Sequence, residues 1–107
     1  CEVFTMEVVP ELAEAARVRL TELGYANVRM RAGSGWEGWS DAGPFDRVLV
    51  TAAPGTLPPA LAQQLAPGGV LIAPVGTGDQ RIIRIVRTAG GFDEEALLPV
   101  RFVPMVR

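Results

Sequence analysis

A run of apolar residues with little polar alternation is the feature that most constrains the fold of this 107-residue chain. The run lies in the stretch FDRVLVTAAP and extends from Val48 to Ala53. Strands buried on both faces read this way, and they are typical of parallel sheets covered by helices. The stretch GGVLIAPVG has the same character. We therefore predict two strands in the interior of an α/β sheet.

Two helical patterns separate the predicted strands. VPELAEAARVRLTELG has Pro10 in its first turn and Gly24 at its exit, as is typical of a helix. TLPPALAQQLAPGG predicts a shorter helix that stops at Pro67–Gly69. The apolar faces of these helices are predicted at Leu12, Ala16, Leu20 and Leu23, and at Leu57, Leu61 and Leu65.

The remaining patterns predict strands. EVFTME and NVRMRAG precede the long apolar run, and the tail predicts an antiparallel pair, RIIRIVRT and ALLPVRFVP, around an AGGFDEE turn. The order strand, helix, strand, strand, helix, strand indicates βαβ units and a mostly parallel sheet. We treat residues 1–107 as a single domain, since the length and the apolar content suffice for one core.

Ligands of parallel sheets bind at the carboxyl ends of the strands. Glu7, Gly33–Gly35 and Thr51–Pro54 all follow directly after predicted strands. We therefore expect these three segments to lie together at one edge of the sheet.

Composition excludes several classes of protein. With 10 basic and 12 acidic residues the net charge is −2, which argues against a nucleic-acid partner. No apolar stretch approaches the length of about 20 residues that spans a bilayer. The chain has no histidine and one cysteine, Cys1, so it offers no zinc site and no internal disulfide, and a cytoplasmic location is expected. Without histidine, any catalysis should need little proton transfer.

Local reasoning leaves each candidate position open. Glu7 suits either the hydroxyls of a ribose or the start of a helix. GSGW lets the backbone approach a planar ligand beside Trp36, but a strand-to-helix turn also requires glycine. TAAP can face a substrate or simply pack. The three tail arginines (Arg81, Arg84 and Arg87) are expected on a solvated strand face, and Trp39 and Phe45 in the core.

The stretches PFDRVLVTAAP, LAPGGVLIAPVG and VRFVPMV resemble the protein-L-isoaspartate O-methyltransferase family, and the resemblance covers almost all of the 107 residues. It implies a class I methyltransferase fold, a Rossmann-like and mostly parallel sheet with C-terminal antiparallel strands. It also implies that the cofactor is S-adenosyl-L-methionine. The implied reaction methylates the carboxylate of L-isoaspartyl residues in proteins or peptides, as a step in protein repair.

The resemblance further implies the roles of individual residues. Glu7 falls on the acid that binds the ribose of the cofactor, and Val8 on the position that packs against adenine. Gly33, Ser34, Gly35 and Trp36 fall on the segment that usually reads GDGW. Because Ser34 replaces its acid, we expect cofactor binding to be weaker by about 1 kcal/mol.

On the substrate side, Thr51 and Ala52 fall where the methyl group meets the substrate carboxylate. The implied substrate-binding residues are Ala53, Pro54, Val103 and Pro104. A carboxylate is already ionised at neutral pH, so methyl transfer needs alignment rather than a base. This agrees with the absence of histidine.

The glycine-rich cofactor loop of class I methyltransferases has no match in the chain. We therefore expect a C-terminal portion of a longer domain that lacks the first strand and its loop. That strand would lie between the strands ending at Glu7 and Ala53. Without it, those two strands either lose a neighbour or pair with each other. We expect these 107 residues alone to bind the cofactor poorly and to be inactive.

Three other interpretations remain open. Half of a nicotinamide-dinucleotide-binding domain also places an acid after a strand for a ribose. A non-catalytic α/β module would fit the serine at position 34 and the missing loop. Finally, a family member could act on a dedicated peptide during natural-product maturation instead of repairing damaged proteins.

Overall fold

The computed structural model describes residues 2–36, 38–39 and 43–105, so that Cys1 lies outside the described part. The elements follow in the order β1 (Val3–Glu7), α1 (Pro10–Glu22), β2 (Val28–Ala32), β3 (Phe45–Leu49), α2 (Pro59–Gln63), β4 (Leu65–Val75), β5 (Gln80–Thr88) and β6 (Gly91–Val100). This order confirms the predicted α/β class.

The strands form two separate sheets. β1 pairs with β2 in parallel, whereas the second sheet has the order β3-β4-β5-β6, with β3 and β4 parallel and the remaining pairs antiparallel. Within the described residues β1 and β3 do not pair with each other, so each keeps one edge without a strand partner. Of the two predicted arrangements, the structure therefore shows the one in which these two strands do not pair with each other.

The main core lies between α2 and the four-stranded sheet. Its buried members are Leu61, Leu65, Leu71, Ala73 and Ile85. Partly buried residues from β3 and from the flanking loops pack against this cluster, among them Val48, Val50 and Leu57. β4 supplies three of the five buried residues, which confirms the prediction of an interior strand there.

The prediction that β3 is buried on both faces is wrong. Val48 packs against the core, but Leu49 is 73% exposed. The described part of the chain leaves the Leu49 side chain largely uncovered. An apolar sequence run can only be buried where a second layer is present.

The second helix is shorter than predicted. It ends at Gln63, and Leu65 already belongs to β4. The predicted stop at Pro67–Gly69 lies inside β4, where the pairing with β3 shifts between Phe45 and Arg47. A Cβ atom on Gly69 would approach the carbonyl oxygens of Ala66 and Phe45 to 2.8 and 2.9 Å, so this irregularity requires a glycine.

Arg87 was predicted on a solvated strand face but is half-buried. Its Nη1 atom donates to the carbonyl oxygen of Leu65 (2.5 Å) and to that of Gln63 (3.4 Å). Gln63 is the last residue of α2. The guanidinium group therefore satisfies one carbonyl at the end of α2, where a helix leaves such groups without partners, and one at the start of β4. Arg81 and Arg84 are exposed, as predicted, and Arg84 pairs with Glu95 at 2.8 Å.

The turn before the last strand and the buried face of α1 also differ from the predictions. The turn between the last two strands is short, because β6 already begins at Gly91 and ends at Val100. In α1 the buried residue is Ala13, while Leu12 and Leu23 are 57% and 65% exposed. Among the described residues the helix packs mainly on β1 and β2, and this narrow surface covers little of it. No helix among the described residues is long and apolar enough to cross a membrane.

We expect Leu71→Ala to lower the free energy of unfolding by about 2–5 kcal/mol, because it leaves a cavity in the core. Leu71 has 0% exposure, whereas Leu49 is 73% exposed and provides the matched control. Leu49→Ala should change stability by about 0.5 kcal/mol or less. Urea titration of both variants measures the difference, and equal losses would contradict this description of the core.

Candidate functional site

The three segments predicted at the carboxyl ends of the strands lie together. The amide of Gly33 donates to the carbonyl oxygen of Glu7 (2.8 Å), which joins the ends of β1 and β2. A Cβ atom on Gly35 would lie 3.0 Å from Cε of Met105, so the glycine turn contacts the C-terminal end of the described chain. The amide of Met105 in turn donates to the carbonyl oxygen of Ala53 (2.9 Å).

Glu7 is half-buried at the end of β1. Its Oε1 atom accepts a hydrogen bond from the amide of Val9 (3.3 Å), the residue that caps α1. Pro10 follows at the first helical position, where the missing N–H costs nothing. Among the described residues no cation forms an ion pair with Glu7. The carboxylate therefore supports the helix start and retains acceptor capacity for a ligand.

Ser34 shapes the glycine turn. Its Oγ atom accepts a hydrogen bond from the amide of Trp36 (3.2 Å), a contact of the type that also allows aspartate at such positions. Residues 33–36 are all half-buried. Sequence reasoning treated Ser34 only as a ligand contact and missed this local role.

A cavity of about 550 Å³ opens beside this turn. Ser34 and Trp36 line one part of it, and residues 56–60 line the rest. It is an open depression rather than an enclosed pocket, and Glu7, Val8 and Thr51 are not among its lining residues. Sequence reasoning did not single out residues 56–60, because their proline and leucine residues read as the start of α2.

The segment at 51–54 divides into an accessible and a buried half. Thr51 is exposed and Ala52 is half-buried, whereas Ala53 is 4% exposed and Pro54 is fully buried. The amide of Ala53 donates to the carbonyl oxygen of Val103 (2.7 Å). Ala53 and Pro54 thus offer little surface to a substrate, and Thr51 and Ala52 offer more.

Val103 and Pro104 lie on the outer side of this contact. Val103 is 68% exposed and Pro104 is exposed, while Pro104 forms a parallel bridge with Ala53. The structure therefore brings the predicted substrate residues of the tail next to the segment at 51–54.

An aromatic cluster joins the two sheets below the site. The Phe4 ring of β1 lies 5.2 Å from the Trp39 ring and 5.7 Å from the Phe45 ring of β3, measured between centroids. Gln64 holds the same loop, because its Oε1 atom accepts a hydrogen bond from the amide of Trp39 (2.9 Å). Trp39 and Phe45 are half-buried, so they pack as predicted but not at the centre of a core.

The charges at the site are few. No group of three or more His, Cys, Asp or Glu residues suited to a metal ion occurs in the described ranges. The pKa of Glu14 is lowered by a hydrogen bond from Arg17, but this exposed pair lies within α1 and not at the strand ends.

Two solved structures share this fold. A protein-L-isoaspartate O-methyltransferase superposes with a TM-score of 0.92 at 24% identity, over 99% of this chain and 34% of the other. A second structure, described as a beta-aspartate methyltransferase from Plasmodium falciparum in complex with S-adenosyl-L-homocysteine, gives 0.83 at 23% identity, over 98% and 52%. This chain therefore shares the fold of part of these two proteins, which agrees with the predicted fold class.

The chain belongs to the protein-L-isoaspartate(D-aspartate) O-methyltransferase family, whose profile matches residues 1–107. A protein-L-isoaspartate O-methyltransferase of Gloeobacter violaceus is 53% identical over 99% of this chain and 53% of its own length. One from Anaeromyxobacter dehalogenans strain 2CP-1 is 53% identical over 97% of this chain and 52% of its own length. The chain spans about half the length of the curated relatives it matches.

Substitution of Gly76 tests how the segment at 51–54 is supported. Its amide donates to the carbonyl oxygen of Pro54 (2.9 Å), and a Cβ atom there would overlap the carbonyl oxygen of Asp79. Gly78 also has a positive φ, +78°, but has open space around it. We expect Gly76→Ala to lower the free energy of unfolding by about 3 kcal/mol and Gly78→Ala by about 1 kcal/mol. Similar losses in urea titration would show that the overlap is relieved without cost.

Proposed function

We propose that this chain provides cofactor and substrate contacts of an enzyme that transfers a methyl group from S-adenosyl-L-methionine to L-isoaspartyl carboxylates. The substrates are proteins or peptides, and the reaction belongs to protein repair. The observation that carries the proposal is the proximity of Glu7, the turn at 33–36 and the segment at 51–54, which contacts through Met105 join. Membership of the isoaspartate methyltransferase family supports it.

The cofactor side of the proposal rests on Glu7, Val8 and residues 33–36. Glu7 has acceptor capacity beyond its bond to Val9, which suits the two hydroxyls of a ribose. Val8 is half-buried beside it and offers an apolar contact for adenine. Gly33, Ser34, Gly35 and Trp36 form the turn that borders the cavity of about 550 Å³. S-adenosyl-L-methionine, when bound, supplies an activated methyl group on a sulfonium.

The substrate side rests on Thr51, Ala52, Val103 and Pro104. We assign Thr51 and Ala52 to the reacting carboxylate, because they are the accessible part of their segment. We assign Val103 and Pro104 to the peptide backbone, since both are exposed beside it. Ala53 and Pro54, predicted to bind substrate, instead support these residues from behind.

The chemistry suits a site without a strong base. An isoaspartyl carboxylate titrates near pH 4 and is a nucleophile at neutral pH. Transfer then needs the carboxylate oxygen and the methyl carbon held in line, and no proton has to move. The chain, which contains no histidine, is consistent with this requirement.

We further propose that residues 1–107 are one part of a larger methyltransferase domain. The open edges of β1 and β3 and the half-length match to relatives support this. For the whole protein we propose a cytoplasmic location, with no nucleic acid or membrane as partner. The net charge of −2 supports the absence of a nucleic-acid partner.

A chimera tests the function. Residues 1–107 replace the matching part of the Gloeobacter violaceus relative, which is 53% identical. We expect the chimera to transfer radiolabelled methyl groups from S-adenosyl-L-methionine to an isoaspartyl peptide but not to the aspartyl peptide of the same sequence. The chain alone should show no turnover, since β1 and β3, which border the site, each lack a strand partner on one edge.

Two results would contradict the proposal. A chimera with a native circular dichroism spectrum but no methyl transfer would favour a non-catalytic module. Tighter binding of NAD than of S-adenosyl-L-methionine in a titration would favour a dinucleotide-binding half domain.

Ser34 allows a gain-of-binding test in the same chimera. Ser34→Asp keeps an oxygen for the amide of Trp36 and adds a charge-assisted acceptor for a ligand. We expect cofactor affinity to rise about fivefold, the equivalent of about 1 kcal/mol. Ser34→Ala is the control and should weaken binding. Isothermal titration calorimetry measures both, and a weaker complex with Ser34→Asp would remove Ser34 from the cofactor contacts.

A further inference from the structure

Gln80 is 9% exposed and is the one buried polar or charged residue in the part of the chain that the structure describes. A buried amide costs free energy unless its donor and acceptor are both satisfied. Gln80 is also the first residue of β5, where it pairs with Val100 at the end of β6. Its side chain therefore sits where regular pairing between the last two strands stops.

Both ends of this amide bind the main chain of one residue, Phe102. The amide of Phe102 donates to Oε1 of Gln80 (2.6 Å), and Nε2 of Gln80 donates to the carbonyl oxygen of Phe102 (3.1 Å). A neighbouring strand would make the same pair of bonds. Continued pairing would place Phe102 opposite Gly78, but that residue lies in a bend with φ +78°. The Gln80 side chain thus replaces a strand partner that the fold does not supply.

Beyond Phe102 the chain continues directly into the candidate site. We call residues 102–105 the closing segment. The carbonyl oxygen of Val103 accepts from the amide of Ala53 (2.7 Å), and the amide of Met105 donates to the carbonyl oxygen of Ala53 (2.9 Å). One end of the closing segment is therefore held by Gln80 and the other by the segment at 51–54.

We propose that Gln80 is a positioning residue for the peptide substrate. Its side-chain amide holds the closing segment in the register that presents Val103 and Pro104 to the substrate backbone. Gln80 does not touch the reacting atoms; it acts through Phe102. This role rests on the proposed function for the substrate contact, but the hold on Phe102 can be measured independently of it.

The first test measures amide hydrogen exchange by NMR in the 107-residue chain. Gln80→Met keeps the length of the side chain and removes both hydrogen bonds. We expect the amides of Phe102, Ala53 and Met105 to exchange about 10-fold faster, while amides of the β4–β5 pair change less than about twofold. Gln63→Met, on an exposed glutamine of α2, is the matched control and should change none of them.

Gln80→Glu should restore the hold on Phe102 when its carboxyl group is protonated, because the protonated acid both donates and accepts. A side chain that only fills space would not show this dependence on pH. Once ionised, the introduced carboxylate cannot donate to the carbonyl oxygen of Phe102, so protection of Ala53 and Met105 should fall. Burial and the donor role favour the protonated acid and raise its pKa in the folded state. The stabilisation is therefore full below the unfolded pKa and is lost as pH rises through the higher folded value.

The exposed groups Asp79, Arg81 and Arg101 line the same crevice as Gln80. Measuring the original chain and Gln80→Met over the same pH range accounts for their titration. Unchanged protection of Phe102 in Gln80→Met, or an equal loss across the whole sheet, would overturn the inference. So would a Gln80→Glu variant whose protection does not respond to pH.

The second test uses the chimera. Gln80→Met should raise KM for the isoaspartyl peptide about 10-fold and leave kcat and the KM for S-adenosyl-L-methionine within about twofold. A fall in kcat with unchanged peptide KM would overturn the substrate role. An inactive parent chimera would overturn the proposed function instead, and the exchange data would still decide whether Gln80 holds the closing segment.

Discussion

The two main-chain hydrogen bonds between Ala53 and the closing segment hold the candidate site together. They fix the tail of the chain against the end of the strand that precedes Thr51. Met105 then contacts the glycine turn at Gly35, which connects the four-stranded sheet to the β1–β2 pair. Ala53 and Pro54 are buried because they form this junction, and the residues on either side of it are left accessible.

The junction matters because the two sheets share no strand pairing in the described residues. Below the site they meet through the aromatic contacts of Phe4 with Trp39 and Phe45. Side-chain packing of this kind sets no strand register, whereas strand pairing does. The relation between the cofactor side and the substrate side of the site therefore depends on a small number of contacts. β1 and β3 each have one edge without a strand partner in the described residues, so strand pairing does not fix the two sheets against each other at these edges.

Much of the local structure follows from the sequence. The bounds of α1 and the interior position of β4 were predicted from periodicity and from an apolar run, which are local signals. The prediction failed at Leu49, because burial depends on a covering layer and not on the strand itself. It failed again at Pro67–Gly69, where a glycine-containing irregularity inside β4 reads like the end of a helix. The short turn before β6 was missed for a similar reason, since a glycine can begin a strand as well as form a turn.

For the candidate site, the sequence predicted that Glu7, the turn at 33–36 and Thr51 would lie at strand ends, and the structure has them at or just beyond the ends of β1, β2 and β3. The same reasoning missed the local bond of Ser34, the wall formed by residues 56–60 and the hold of Gln80 on Phe102. The sequence by itself determined the order of elements and the chemistry available at the strand ends, because both depend on near neighbours in the chain. Only the tertiary structure decided which strand edges remain open and which backbone groups a buried amide satisfies. Those features depend on contacts between residues far apart in the chain, and a local sequence pattern does not show which distant residues come into contact.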